Sequence, residues 1–158
     1  MLFRSGRQSI SVGVGNVVNG ENSGAFGDPS IVNASNSYSV GNNNAIGGNG
    51  TDNAFAFGGQ NNLGATATRD ANGVIDNTQA LTNVANVSKS AVVGFGNTVK
   101  SQRVMVLGNG VTVNENRDGS VVLGDGSNGT VDVKAVNSAK VNNITYSGFA
   151  GNLDGSSS

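Results

Sequence analysis

The sequence predicts an all-β solenoid built from repeats of about 14 residues. Three observations predict it. A glycine recurs behind a short apolar segment at Gly13, Gly27, Gly41, Gly58, Gly94, Gly108 and Gly124. The residue before each glycine is apolar: Val12, Phe26, Val40, Phe57, Val93, Leu107 and Leu123. A second apolar position follows a few residues later, at Val18, Val32, Ile46, Leu63, Val99 and Val113. The glycines are separated by 14, 14, 17, 36, 14 and 16 residues. A recurring corner at a near-fixed step marks a stacked-repeat architecture rather than a set of unrelated strands. A flat antiparallel sandwich of short strands is the competing architecture. The repeated identity of the corner disfavours it.

The first strand of each repeat is the four residues before the glycine, as in "SYSV" (37–40) or "SVVL" (120–123). Two residues before Val12, Phe26, Val40, Phe57, Val93, Leu107 and Leu123 stand Ile10, Gly24, Tyr38, Phe55, Ala91, Met105 and Val121. That alternation has the period of a strand with one face inward. It assigns the residue before each glycine to packing inside the coil or against sister chains. The intervening residues are Ser11, Ala25, Ser39, Ala56, Val92, Val106 and Val122, small or polar early and valine later. The later strands are therefore expected to be buried on both faces.

Glycine at the corner permits a positive φ or a close backbone approach. Three residues on, Asn16, Ser30, Asn44, Asn61, Asn97 and Ser127 supply side chains that cap a turn. Stacking would align them in ladders. The sixth repeat places Val111 at this station, so its corner is expected to differ. The second strand then centres on the Val18–Val113 series. Seven such turns at roughly 4.8 Å make a rod of about 34 Å. A coil this thin buries little apolar area per residue, so association with further copies is a physical expectation.

Between Leu63 and Ser90 the step grows by 22 residues, leaving an insertion at 65–89. It carries Arg69, Asp70, Asp76 and Lys89 and the turn signal "DANG". Its apolar residues Val74, Ile75, Leu81, Val84 and Val87 fit a strand pair or a short helical turn. Insertions in solenoids map to loops on one face, often the binding face. A structural flap over the seam between chains is the bland alternative.

Composition excludes several classes. Glycine and asparagine contribute 25 residues each out of 158. With only 12% charged residues this could signal low complexity, but a disordered tract has no reason to hold apolar residues in phase. A net charge of −1 leaves no electrostatic footprint for nucleic acid or anionic lipid. The absence of cysteine removes disulfides, thiolate metal sites and thiol nucleophiles. No segment is apolar enough to span a membrane as a helix. "MLFRSGRQSI" lacks the apolar core of a signal peptide, so an exported parent would make this chain an excised part of it. "GNLDGSSS" reads as a frayed tail.

No histidine is present, so no histidine base and no Ser-His-Asp triad can be assembled. The carboxylates Glu21, Asp28, Asp52, Glu115, Asp118 and Asp125 are scattered through turns, and no glycosidase pair follows from their spacing. "GGNGTDNA" (47–54) resembles one calcium-binding nonapeptide, but it has no tandem copy and Ala54 stands where a large apolar residue belongs. "VGNNNAIG" (40–47) contains one step of the hexapeptide helix of some acyltransferases, against a dominant step of 14. "GVGNVVNG" (13–20) misses the dinucleotide-binding fingerprint because its third glycine is displaced and no helix follows. No cofactor, metal or catalytic residue is expected.

The lines "SVVLGDGS" (120–127), "SYSVGNNN" (37–44) and "SAVVGFGN" (90–97) resemble the head repeats of trimeric autotransporter adhesins of the YadA type. The resemblance covers roughly 9–64 and 90–130, and implies a head-repeat domain at 9–130. "AVNSAKVNNITYSGFAG" (135–151) resembles the β-rich connector with an F-A-G signature found downstream of such heads, implying a connector at 131–153. The resemblance implies a left-handed parallel β-roll in an interlocked homotrimer. It implies display on a cell surface, anchored in a Gram-negative outer membrane through parts outside this chain. The implied function is attachment to a host protein, either matrix such as collagen or fibronectin or an epithelial receptor such as a CEACAM. A passive spacer of a surface fibre is the alternative. The residues expected to bind a receptor are those of the insertion: Arg69, Asp70, Asn72, Ile75 and Asp76. Deleting 66–87 is expected to leave the trimer folded and to reduce host binding.

Overall fold

The computed structural model describes residues 3–48, 50–127 and 138–147. Among the described residues there is no helix, and the strands stack as a parallel β-solenoid of about seven turns. One sheet is built from the strands before the corner glycines. Its order is Ile10–Val12, Gly24–Phe26, Tyr38–Asn42, Phe55–Gly59, Ala91–Phe95, Met105–Leu107 and Val121–Leu123, each parallel to the next. The other sheet runs Phe3–Arg4, Val17–Val18, Ile31–Val32, Ala45–Ile46, Asn62–Leu63, Thr98–Val99 and Thr112–Val113, again parallel. Parallel neighbours separated by one repeat exclude the antiparallel sandwich.

The core lies between the two sheets. The second-strand series Val18, Val32, Ile46, Leu63, Val99 and Val113 is fully buried, as the spacing predicts. Opposite it, the inward residues of the first sheet are the intervening ones. Ala25, Ser39, Ala56, Val92 and Val106 are each at 0% exposure. Of the two placements expected for the residue before each glycine, inside the coil or against sister chains, the first does not occur. Val12, Phe26, Val40, Phe57, Val93, Leu107 and Leu123 point out of the coil: Val40 is partly buried in the single chain and the other six are exposed. The reason is space. A 14-residue turn leaves room at this position only for serine, alanine or valine, so the larger side chains take the outer face.

The corner glycines are forced by close approach. Gly41, Gly58 and Gly94 are register partners on successive turns. A Cβ built on Gly58, at φ +125°, would lie 1.9 Å from the carbonyl oxygen of Gly94. No side chain fits between backbones stacked so tightly. A second left-handed station lies five residues earlier, at Gln8, Asn22, Asn36, Asn53, Lys89 and Arg103, all with φ between 52° and 59°. This conformation costs an L-residue about 1–2 kcal/mol. It recurs because each turn's N–H here donates to the turn below: Asn36 to Glu21 O at 2.8 Å, Lys89 to Asp52 O at 3.0 Å.

The polar station forms the ladder that the repeat implies. Asn61 Nδ2 donates to Asn44 Oδ1 at 3.0 Å, and Asn97 Nδ2 to Asn61 Oδ1 at 3.0 Å. The corner of the sixth repeat differs as expected: Gly108, alone of the seven corner glycines, does not take the positive-φ conformation, and Val111 occupies the polar station. Its N–H donates to Asn97 Oδ1 at 2.9 Å, and its side chain is fully buried. Strands Ser138–Val141 and Ile144–Ser147 pair as an antiparallel hairpin within the connector segment. Residues 128–137, which end the head-repeat assignment and begin the connector, the F-A-G residues 149–151 and the terminal tail lie outside the described residues.

Candidate functional site

Two surfaces of the coil carry more than a repeat needs. The first is the outer face of the first sheet. Alternation places two outward side chains per turn there, and they are large and apolar along most of the stack. Ile10, Val12, Phe26, Tyr38, Phe55, Phe57, Val93, Met105, Leu107, Val121 and Leu123 are all exposed in the single chain. Phe57 is at 50%, Leu107 at 55% and Leu123 at 65%. Gaps in the row are filled by neighbouring rings. A Cβ on Gly24 would lie 2.8 Å from the Tyr38 ring, and one on Gly59 would lie 3.1 Å from the Phe95 ring. The face is thus a levelled apolar strip running the length of the stack, roughly 29 Å. Strips of this kind mark interaction surfaces rather than ordinary monomer surface.

The second surface is the insertion, which packs on the outer face of the other sheet. Thr82–Asn83 pairs antiparallel with Ala65–Thr66, and Arg69 bridges to Ile75 in a second antiparallel contact. The strand-pair reading holds and the helical turn does not form. Ile75 and Leu81 join Ile31, Ala45 and Ala65 in a buried cluster, with Val17 and Ala67 against it. The covered strands differ accordingly from the uncovered ones. Val17, Ile31 and Ala45 face the insertion, while further along the stack the same column reads Asn62, Thr98 and Thr112. The outward column is apolar under the apolar residues of the flap and turns polar at Asn62, where the flap's Arg69 bonds to it, and at Thr98 and Thr112 beyond. That change of residue type was a legible signal of a cover.

The sequence-nominated insertion residues divide into two groups. Ile75 is buried at 4% exposure, so its side chain is not available to a partner. Its N–H donates to Asn43 Oδ1 at 2.9 Å. Arg69 is half-buried and holds the flap down. Its guanidinium donates to Asn43 O at 2.8 Å, Gly73 O at 3.1 Å and Asn62 Oδ1 at 3.0 Å. Burial lowers its pKa. Asn77 Nδ2 reaches back to Gly15 O at 2.7 Å, tying the flap to the first turn.

Asp70 and Asn72 are exposed. Asp70 Oδ1 accepts the N–H groups of Asn72 and Val74 at 2.8 and 2.9 Å, which shapes the turn. Asp76 Oδ1 accepts the Thr78 hydroxyl at 2.6 Å and the Thr78 N–H at 3.0 Å. The hydroxyl foremost, then the N–H, holds the Asp76 carboxyl below the usual carboxylate range. Val74 and Val84, absent from the sequence nomination, are the insertion's exposed large apolar residues.

Among the described residues no group of three or more His, Cys, Asp or Glu side chains gathers where a metal ion could be held. No protein-family model matches the chain, and no curated protein matches it.

Proposed function

We propose that the chain is the head of a surface adhesin, a left-handed β-roll assembled as a homotrimer, that attaches to a host protein. The observation that carries this reading is the apolar strip on the first sheet. A single chain would leave Phe57, Leu107 and Leu123 in water along the full stack. Packing the strips of three copies together removes them from water, at about 25 cal/mol for each Å² covered. That arrangement turns the second sheet and its insertion outward, where the exposed residues Asp70, Asn72, Val74 and Val84 meet a partner. Candidate partners are matrix proteins such as collagen or fibronectin and epithelial receptors such as a CEACAM. The setting is a Gram-negative outer membrane, reached through parts outside this chain.

A second reading is a passive spacer, and one observation favours it. Ile75 and Arg69 are committed to seating the insertion, so the insertion has a structural use without any receptor. Two measurements in sequence separate the readings. Light scattering gives the molar mass, where three times the chain mass supports the trimer and one chain mass overturns it. Surface-immobilised collagen, fibronectin and a CEACAM ectodomain are then titrated with the protein. Saturable binding supports the adhesin, and none to any of them favours the spacer.

A further inference from the structure

The amide ladder inside the coil has a gap, and its geometry is specific. Asn16 is fully buried. Its Nδ2 donates to Val12 O at 3.1 Å and to Gly27 O at 2.8 Å. Two carbonyl acceptors fix which end of the amide is nitrogen. Oδ1 is therefore the end left over.

On later turns the corresponding oxygen always has a partner in the turn above: Asn97 Oδ1 accepts the Val111 N–H at 2.9 Å, and where the station above holds another asparagine the oxygen is taken twice. Asn44 Oδ1 accepts the Asn61 N–H at 3.1 Å and its Nδ2 at 3.0 Å. Asn61 Oδ1 accepts the same two groups from Asn97, at 3.1 and 3.0 Å. Above Asn16 the station holds Ser30, whose side chain has no amide and ends one bond beyond Cβ. Its hydroxyl turns to the next turn, donating toward Gly41 O and accepting the Asn44 N–H. Asn16 Oδ1 is left buried without a partner, and so is the hydroxyl oxygen of Ser11.

Those two residues occupy the stations that Ser39 and Asn44 hold two turns later, where the side chains touch at 3.0 Å. The next turn also offers little bulk against them. Ala25 is the register partner of Ser11, where Val92 and Val106 stand later in the column. A buried polar pocket with unpartnered acceptors and small walls is where proteins hold an internal water, given two or more polar partners.

We propose that the first two turns enclose one such water, bridging Asn16 Oδ1 and Ser11 Oγ in the place of the amide that Ser30 lacks. The water donates one hydrogen to Asn16 Oδ1. With the other, or with its lone pair, it meets the Ser11 hydroxyl.

The test is a crystal structure of the whole chain at about 1.5 Å or better, where ordered waters are resolved, with Ser30→Asn as a companion variant. In the native protein a single peak is expected within hydrogen-bonding distance (about 2.7–3.1 Å) of both atoms. In the variant the introduced amide is expected to displace that peak, and the melting temperature to rise by about 2–4 °C. A native structure in which Asn16 Oδ1 accepts directly from the Ser30 N–H or the Ser11 hydroxyl, with no peak between them, would overturn the proposal. Should the variant fail to fold, the native density alone decides.

Discussion

Asn97 donates its side-chain amide to Oδ1 of Asn61 across 3.0 Å, although 36 positions separate the two in sequence. The insertion leaves the coil and returns without disturbing the ladder. The long step in the repeat is thus an excursion from a continuous stack and not a break between two domains. Replacing Asn61 with alanine removes the acceptor for the Asn97 N–H and amide and the donor to Gly94 O. Each buried partner left unsatisfied costs about 1–3 kcal/mol. Denaturant unfolding of Asn61→Ala is expected to show a loss of several kcal/mol, and a loss under about 1 kcal/mol would mean that the ladder is ornamental.

Gly94→Ala tests the backbone stacking. Its Cβ would fall 1.8 Å from Gly108 O, at a φ of +138° that L-residues rarely adopt. Strained backbone of this kind costs about 1–3 kcal/mol even before the clash is counted. Destabilisation of about 3 kcal/mol or more is expected. Gly96→Ala is the control, because nothing lies within 4 Å of that position and only its φ of +68° is strained. Thermal melts that lower both variants equally would contradict the stacking argument.

The apolar strip makes a separate prediction. Phe57 and Leu107 are half exposed in the single chain, so glutamate at either position leaves the coil interior untouched. Under the proposed homotrimer, the double variant Phe57→Glu, Leu107→Glu is expected to lower the molar mass from three chains to one while far-UV circular dichroism still reports β-structure. An unchanged trimer would place the interface elsewhere.

The insertion calls for two kinds of variant. Deleting 66–87 uncovers Ile31 and Ala45, so a reduced melting temperature is expected as well as any loss of binding. Arg69→Ala strips the same anchor from within, removing charge-assisted hydrogen bonds worth about 1.5–3 kcal/mol each, and lysine cannot reproduce the fork that reaches three acceptors. Asp70→Ala with Asn72→Ala and Val84→Ser alters the exposed surface more gently. Should this triple variant bind collagen, fibronectin and a CEACAM as the native chain does, the insertion is a cover and nothing more.

Asp76 gives a pH signature. Its folded pKa lies below the ordinary value, so the stability it contributes is present above the unfolded pKa of about 3.9 and is lost as pH falls through the folded value. The melting-temperature gap between the native chain and Asp76→Asn is expected to hold from pH 7 to about pH 5 and to close below about pH 4. A gap that persists unchanged at the acid end would show that the Thr78 contacts do not depend on the charge.

The sequence by itself determined the coil. The corner glycines, the inward series Val18 to Val113 and the Asn16–Asn97 stations were legible because stacking requires the same residue type at the same step in each turn. It located the insertion as well, from one anomalous spacing. Tertiary structure alone decided the phase of the first strand. Alternation says that two faces differ but not which is inside, and the width left by the facing sheet settled it for the small residues Ala25, Ser39 and Ala56. It alone revealed the left-handed corners at Lys89 and Arg103, residue types that carry no such local preference. Those conformations follow from hydrogen bonds to the turn below, and a partner one coil away leaves no mark on the residue it constrains. The same holds for Ile75, whose role depends on Ile31 and Ala45 lying beneath it, more than 25 positions distant in the chain.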